Sequence, residues 1–229
     1  KVSEDTTIEI EDCVPVSYDT DGEVVYNMHF INNLISYPFI TSQYIADALG
    51  DAASNVYALA GEGVAALNTG ISWVGSLSVL EGGHGYWLIT ADDFSFSFSS
   101  GAADGLTRPP EQPALRVIPE VYSYSQSDQQ AFFFVQDATN NDEALESDDI
   151  IIAYNGDVIV GARYWFGEFT DVPAMGSEAG DKISFKVWDA SAGELVDMVV
   201  SGDTEWGNNI ISVINLCSSS PCALSNNSF

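Results

Sequence analysis

The sequence is poor in positive charge. Six Lys and Arg stand against 34 Asp and Glu among 229 residues, a formal net charge of −28. Phosphate backbones are held by clustered Lys and Arg, so six scattered cations exclude a nucleic-acid-binding surface. Polybasic attachment to an anionic membrane falls with it. Long apolar runs are missing too. No stretch approaches the roughly 18 to 20 residues that cross a bilayer as a helix, and no membrane insertion is expected. Histidine is down to His29 and His84, neither near a cysteine in sequence, which leaves little for a zinc site or a catalytic base. Three cysteines, Cys13, Cys217 and Cys222, are too few for a disulfide framework. The stretch Cys217-Ser-Ser-Ser-Pro-Cys222 can close a small loop or hold two free thiols. The opening Lys1-Val-Ser-Glu-Asp does not read as a signal peptide, and we read the chain as processed or as a fragment.

What is present belongs to a folded protein. Hydrophobic residues at 46% and aromatics at 12% can fill a core, unlike those of a disordered acidic tail. The charge is evenly spread: residues 1–109 hold 15 acids and 2 bases (net −13), residues 110–229 hold 19 and 4 (net −15). An acidic surface poor in Lys suits salty water, where counterions screen the repulsion; ordinary solubility is the plainer reading.

The patterning is that of strands. VPVSY and EVVYNMHF flank Asp19-Thr20-Asp21-Gly22 as a hairpin, and this tetrad lacks the terminal acids of a calcium loop. NLISYPF (33–39), VYALAG, GVAALN, ISWVGSL, GYWLIT and FSFSFS follow as short strands punctuated by glycine. One helix is expected over 42–49, with Ser42 as cap, Ile45, Ala48 and Leu49 on one face, and Gly50 as stop. Residues 99–114, with three Pro and no periodicity, read as a linker or long crossing loop. Beyond it VYSYSQ alternates and QQAFFFVQDA reads as a buried strand. Turns fall at Thr139–Asp142, Asn155-Gly156 and Ala190–Gly193, and NIISVINL closes the domain. The expectation is an all-β chain of two tandem antiparallel β-sandwich-like domains, residues 1–107 with the short helix and 108–216, then a tail 217–229.

Candidate chemistry is sparse. No Gly-x-Ser-x-Gly elbow occurs, and the glycine-rich segments lack a Lys-Ser/Thr partner for phosphate. Among 34 acids some pair falls within catalytic reach by number alone, so a glycan hydrolase stands only as a third reading. Asp142, Asp148 and Asp149 lie in an acidic run that offers oxygen ligands to calcium, or is simply a solvated connection; no other cofactor is indicated. Trp73, Trp87 and Trp165 are candidate platforms for sugar rings, against the alternative that tryptophan fills β-sandwich cores. Arg163, one of six bases, has Asp149 or Asp171 as candidate partners.

Two groups of segments look familiar. NLISYPF, GEGVAALN, WVGSL and GYWLI resemble a module recurring in secreted and surface-exposed proteins of marine bacteria, over residues 29–98. Gln130–Phe134, Asp148–Trp165, Asp171–Gly176 and Gly180–Ala190 resemble a second module of that kind, similar to segments in structural proteins of marine phages. The resemblance implies a non-catalytic part of a larger surface or fibre protein, and carries over no catalytic residue. The expected role is a structural or adhesive module of an extracellular appendage, fibre or virion surface. It would assemble with copies of itself or other subunits, with segments 1–12 and 217–229 reaching neighbours. A carbohydrate-binding module pair that recognises surface glycans is the alternative.

Overall fold

The computed structural model describes residues 24–99, 109–219 and 222. The turn expected at Asp19–Gly22 and the segment 1–12 lie outside the described residues, as does most of the tail. The fold is all-β, and the described residues hold one short α-helix, in the first half.

The first unit contains β1 (Tyr26–Met28), β2 (Ile31–Ser36), β3 (Gln43–Tyr44), helix α1 (Ile45–Leu49), β4 (Val56–Ala60), β5 (Ala65–Asn68), β6 (Trp73–Gly75), β7 (Val79–Leu80), β8 (Gly85–Thr90) and β9 (Phe94–Phe96). Five strands form an antiparallel sheet in the order β2-β8-β4-β5-β6, and β1-β9 and β3-β7 make two-stranded ribbons. The Phe/Ser alternation does what a period of two dictates: Phe96 and Phe98 are buried, and Phe98 meets Phe96, Tyr26 and Tyr37 edge-on. The helix is shorter than expected. Gln43 and Tyr44 are held extended by pairing with Leu80 and Val79, and Ser42 Oγ bonds Pro110 O rather than capping. Ile45, Ala48 and Leu49 are buried on one face, as their spacing requires, and after Leu49 the chain tightens into a 3₁₀ turn over Gly50–Asn55.

The second unit contains β10 (Gln130–Asn140), β11 (Glu143–Ala144), β12 (Ile150–Asn155), β13 (Val158–Tyr164), β14 (Thr170–Met175), β15 (Ile183–Asp189), β16 (Glu194–Ser201) and β17 (Ile211–Cys217). Its strands run in the order β11-β10-β17-β16-β15-β12-β13, with β14 on the other edge of β10. The path folds into two layers because β16 serves both: Met198 and the residues before it pair with β15, while Val199–Ser201 pair with β17. Phe133, Val135, Val172 and Ile214 meet Ile151, Phe185 and Val187 between the layers.

Two expectations need correction. The sandwich is not purely antiparallel, since β17 runs parallel to β10, Phe132 against Ile211 through Thr139 against Cys217. The closing strand enters beside β10 after the irregular 202–210 stretch and fills the gap between β10 and β16. VYSYSQ is not a strand: Glu120–Tyr122 is a 3₁₀ turn, and Tyr122 and Tyr124 lie on Ile150, Ile152 and Ala162, covering the outer face of the second layer.

The two units are in contact through three β layers. The outer face of β10 and β17 packs on the five-stranded sheet, so Phe132 and Phe134 lie among Ala58, Ala60, Ala65, Leu67 and Ile89. The described part of the connector works as a strap. Gln112 Nε2 donates to Ser76 O at 2.6 Å while its Oε1 accepts from Ser78 N and Val79 N. Arg116 then reaches the second unit, bonding Ser147 O at 2.6 Å and Asp148 at 3.0 Å with its guanidinium 3.7 Å above the Tyr164 ring.

Candidate functional site

The seam between the units is built from the alternation along β10. In Ala131–Val135 every side chain is fully buried, yet successive residues face opposite ways: Phe133 enters the sandwich core, Phe132 and Phe134 enter the seam. Opposite them the first unit presents alanine, which lets the rings approach its sheet. Gly75 is the tightest point. With φ at +109°, a Cβ there would lie 2.4 Å from Ala65 O and 2.8 Å from the Phe134 ring. Gly161 plays the same part inside the second unit, where a Cβ would fall 1.6 Å from Pro173 O of the crossing strand.

A polar network sits beside these rings. Asp171, in register with Phe134 on β14, is fully buried and takes bonds from Ser76 Oγ (2.6 Å), Ser76 N (2.7 Å) and Ala65 N (3.1 Å). Arg163 of β13 lies 3.4 Å from its Oδ2, donates Nε to Asp171 O at 2.9 Å, and reaches on to Gly63 O at 2.6 Å. Gln130 Nε2 donates to Gly61 O at 3.1 Å. Three side chains of the second unit thus satisfy the backbone groups that the β4–β5 turn leaves over. Burial pushes the Asp171 carboxyl up from its ordinary range, and the Arg163 guanidinium and the Ser76 bonds draw it back. All four partner groups are donors, which suits the carboxylate.

The expected site residues do not converge. Asp142 is exposed in the β10–β11 turn, and Asp148 is exposed and paired with Arg116. Asp149 is buried, its carboxylate accepting from Glu146 N (2.8 Å) and Ala190 N (2.9 Å) and so tying two loops together. Among the described residues no three His, Cys, Asp or Glu side chains gather as a metal site. The calcium assignment to Asp142, Asp148 and Asp149 is therefore corrected: one carboxylate is used up on backbone amides, one on arginine, and the third stands apart. Cys217 and Cys222 are joined, their Cα atoms 5.6 Å apart.

The tryptophans separate as well. Trp165 is buried in the sandwich core, its backbone N–H donating to Asp149 O, and offers no platform for a sugar. Trp87 is half-buried in an open groove of about 410 Å³ with Leu34, Glu62, Gln126 and Asp128. Trp73 is half-buried in a separate cavity of about 680 Å³ with Tyr44, Ile71 and Ser72. A third cavity, of about 510 Å³, lies over the seam between Ser76, Arg116, Arg163, Tyr164 and Phe166. Sequence reasoning offered Asp171 as a partner for Arg163 but missed Ser76, Gln130 and Tyr44. The available signal was a charge inside an otherwise apolar strand, Asp171 in TDVPAM. No protein-family model, curated protein or solved structure matches the chain.

Proposed function

We propose that this chain is a non-catalytic structural and adhesive module of an extracellular appendage, fibre or virion surface, which associates with copies of itself or with other subunits. The seam carries the reading. An apolar layer, a buried ion pair and a strap hold the two β units in one fixed orientation, as a building block needs and a hinged enzyme does not. The evenly acidic surface fits a salty exterior. Association has a route in strand edges: β2 ends the five-stranded sheet and carries the exposed side chains of Ile31 and Leu34, with exposed Phe30 just before it. Like-charged copies must meet through such neutral contacts or with cations between them, so cohesion is expected to depend on salt or calcium.

Mass photometry and negative-stain microscopy of the full chain, at low and high NaCl and with or without calcium, test this. Ordered oligomers or filaments are expected in salt or calcium, and Leu34→Lys returns them to single copies. Featureless single copies under every condition overturn the assembling module.

A further inference from the structure

We propose that the cavity beside Trp73 binds an uncharged sugar chain. This deepens the adhesive reading by naming its partner, and it needs no association between copies. The cavity lies where helix α1, the 3₁₀ turn, the end of β5 and β6 meet. None of the residues that line it carries a charge. The two cavities that touch the second unit differ in this, since Glu62 and Asp128 stand in the Trp87 groove, and Arg116 and Arg163 line the seam cavity. A wall without ions gives a charged ligand nothing in return for its lost hydration, so the selected ligand is neutral.

The chemistry of the wall narrows the class further. It combines two rings, Trp73 and Tyr44, with the hydroxyls of Ser54, Ser72 and Ser78. A pyranose has an apolar face of C–H groups and a rim of hydroxyls. The face lies flat on an indole or phenol ring while the rim exchanges hydrogen bonds with serine, which both donates and accepts. A lipid would offer the Ser72 and Ser78 hydroxyls no partner, whereas Ser54 already donates to Asp51 O at 3.2 Å.

The site is formed before any ligand arrives. Trp73 rests against the core around α1, while Tyr44 is 56% exposed and Ile71 93%. The rim is fixed by Asn68, whose Nδ2 donates to Ala53 O (2.9 Å) and Val56 O (3.1 Å) and whose Oδ1 accepts from Gly70 N (2.9 Å). Thr69 Oγ1 closes the turn that carries Ile71 and Ser72 through Ser72 O and Ser72 N. The Trp73 ring and the turn, held in place, reduce the ordering cost of binding. About 680 Å³ lies within the range of ligand sites and, open to solvent, suits a short stretch of a longer polymer.

The experiment titrates the full chain, kept as single copies at low salt, with cellohexaose, laminarihexaose, mannohexaose and xylohexaose. Tryptophan fluorescence and amide NMR shifts report binding. Saturable binding of at least one neutral hexaose is expected, with shifts clustered at residues 44–46 and 68–73. Tyr44→Ala, an exposed change that leaves the core intact, weakens it by about tenfold, roughly the worth of one aromatic contact. Trp73→Phe weakens it while keeping a ring against the core, and Trp87→Ala leaves it unchanged. Absence of saturable binding to all four sugars, or binding indifferent to both Tyr44→Ala and Trp73→Phe, overturns the site. Binding without assembly in any salt leaves the sugar site standing and removes the assembling module; assembly without binding does the reverse.

Discussion

Asp171 faces no water, and every oxygen contact it makes is a donated hydrogen bond from a group that is itself held in place. Removing it leaves Arg163 charged and buried with only carbonyl partners. Asp171→Ala is therefore expected to cost about 3–5 kcal/mol in urea unfolding, the usual penalty for breaking a buried pair from one side. The double change Arg163→Met with Asp171→Leu removes both charges and is expected to recover much of that loss; a double variant no better than the single one would show that the carboxylate acts through Ser76 and Ala65 alone. A second residue stores strain. Ile31 opens β2 at φ +76°, a conformation in which a β-branched side chain is a true outlier. The bend is imposed by Asn33, which bonds His29 N and O, and by Thr90 Oγ1 on His29 O. Since Ile31 is 45% exposed, little packing is lost on shortening it. Ile31→Gly is expected to raise stability by roughly 1 kcal/mol, measured by the same unfolding curves.

At the scale of elements, local rules succeed wherever the chain closes a turn on itself. Thr139 pairs with Ala144 and Asn140 with Glu143, which leaves Asn141 and Asp142 as a two-residue turn with φ +50° and +65°. That conformation favours Asn-Gly, so Asp142→Gly is expected to stabilise the β10–β11 hairpin by about 0.5–1 kcal/mol, seen as slower amide exchange at Thr139 and Ala144. The Ala190–Gly193 turn is legible for the same reason, and Asp189 locks it through Ser191, Ala192 and Asn140. Those bonds lower the Asp189 pKa. The folded value lies below the unfolded one, so the help it gives the turn is present above the ordinary carboxylate range and lost as pH falls through the folded value. Elements fixed by distant partners were not legible. The alternation in VYSYSQ is that of a strand, yet among the described residues no strand pairs with it and its tyrosines pack on the face of the sheet. The parallel pairing of β17 has no local signature, because its partner β10 lies far back along the chain and no turn joins the two strands. Trp73 stood in the sequence only as one of three candidate platforms, and Tyr44, 29 positions earlier, is placed on the same cavity by the β3–β7 ribbon.

At the scale of the whole molecule, a charge of −28 opposes compaction and the seam resists it. Each unit has a core of its own, yet each alone would expose the alanine face or the Phe132 and Phe134 rings, so the opening of one strips the other of its seam packing. Heating is expected to unfold both units in one transition, with Phe134→Ala lowering the Tm of amides in the first sheet as much as in the sandwich; a first unit that melts separately, unmoved by Phe134→Ala, would divide the molecule at the seam. The strap argues for unity as well, because Gln112 and Arg116 bind opposite units only four residues apart. Against this cohesion stands repulsion among acids spread over both halves. It acts over about 30 Å at 0.01 M salt and about 3 Å at 1 M, so salt should relieve it without touching the buried pair. The Tm is therefore expected to rise steadily with NaCl, and the gain should survive in the Arg163→Met with Asp171→Leu variant. A Tm that falls with NaCl in the parent but not in that variant would assign the dominant electrostatic contribution to the seam rather than to the surface.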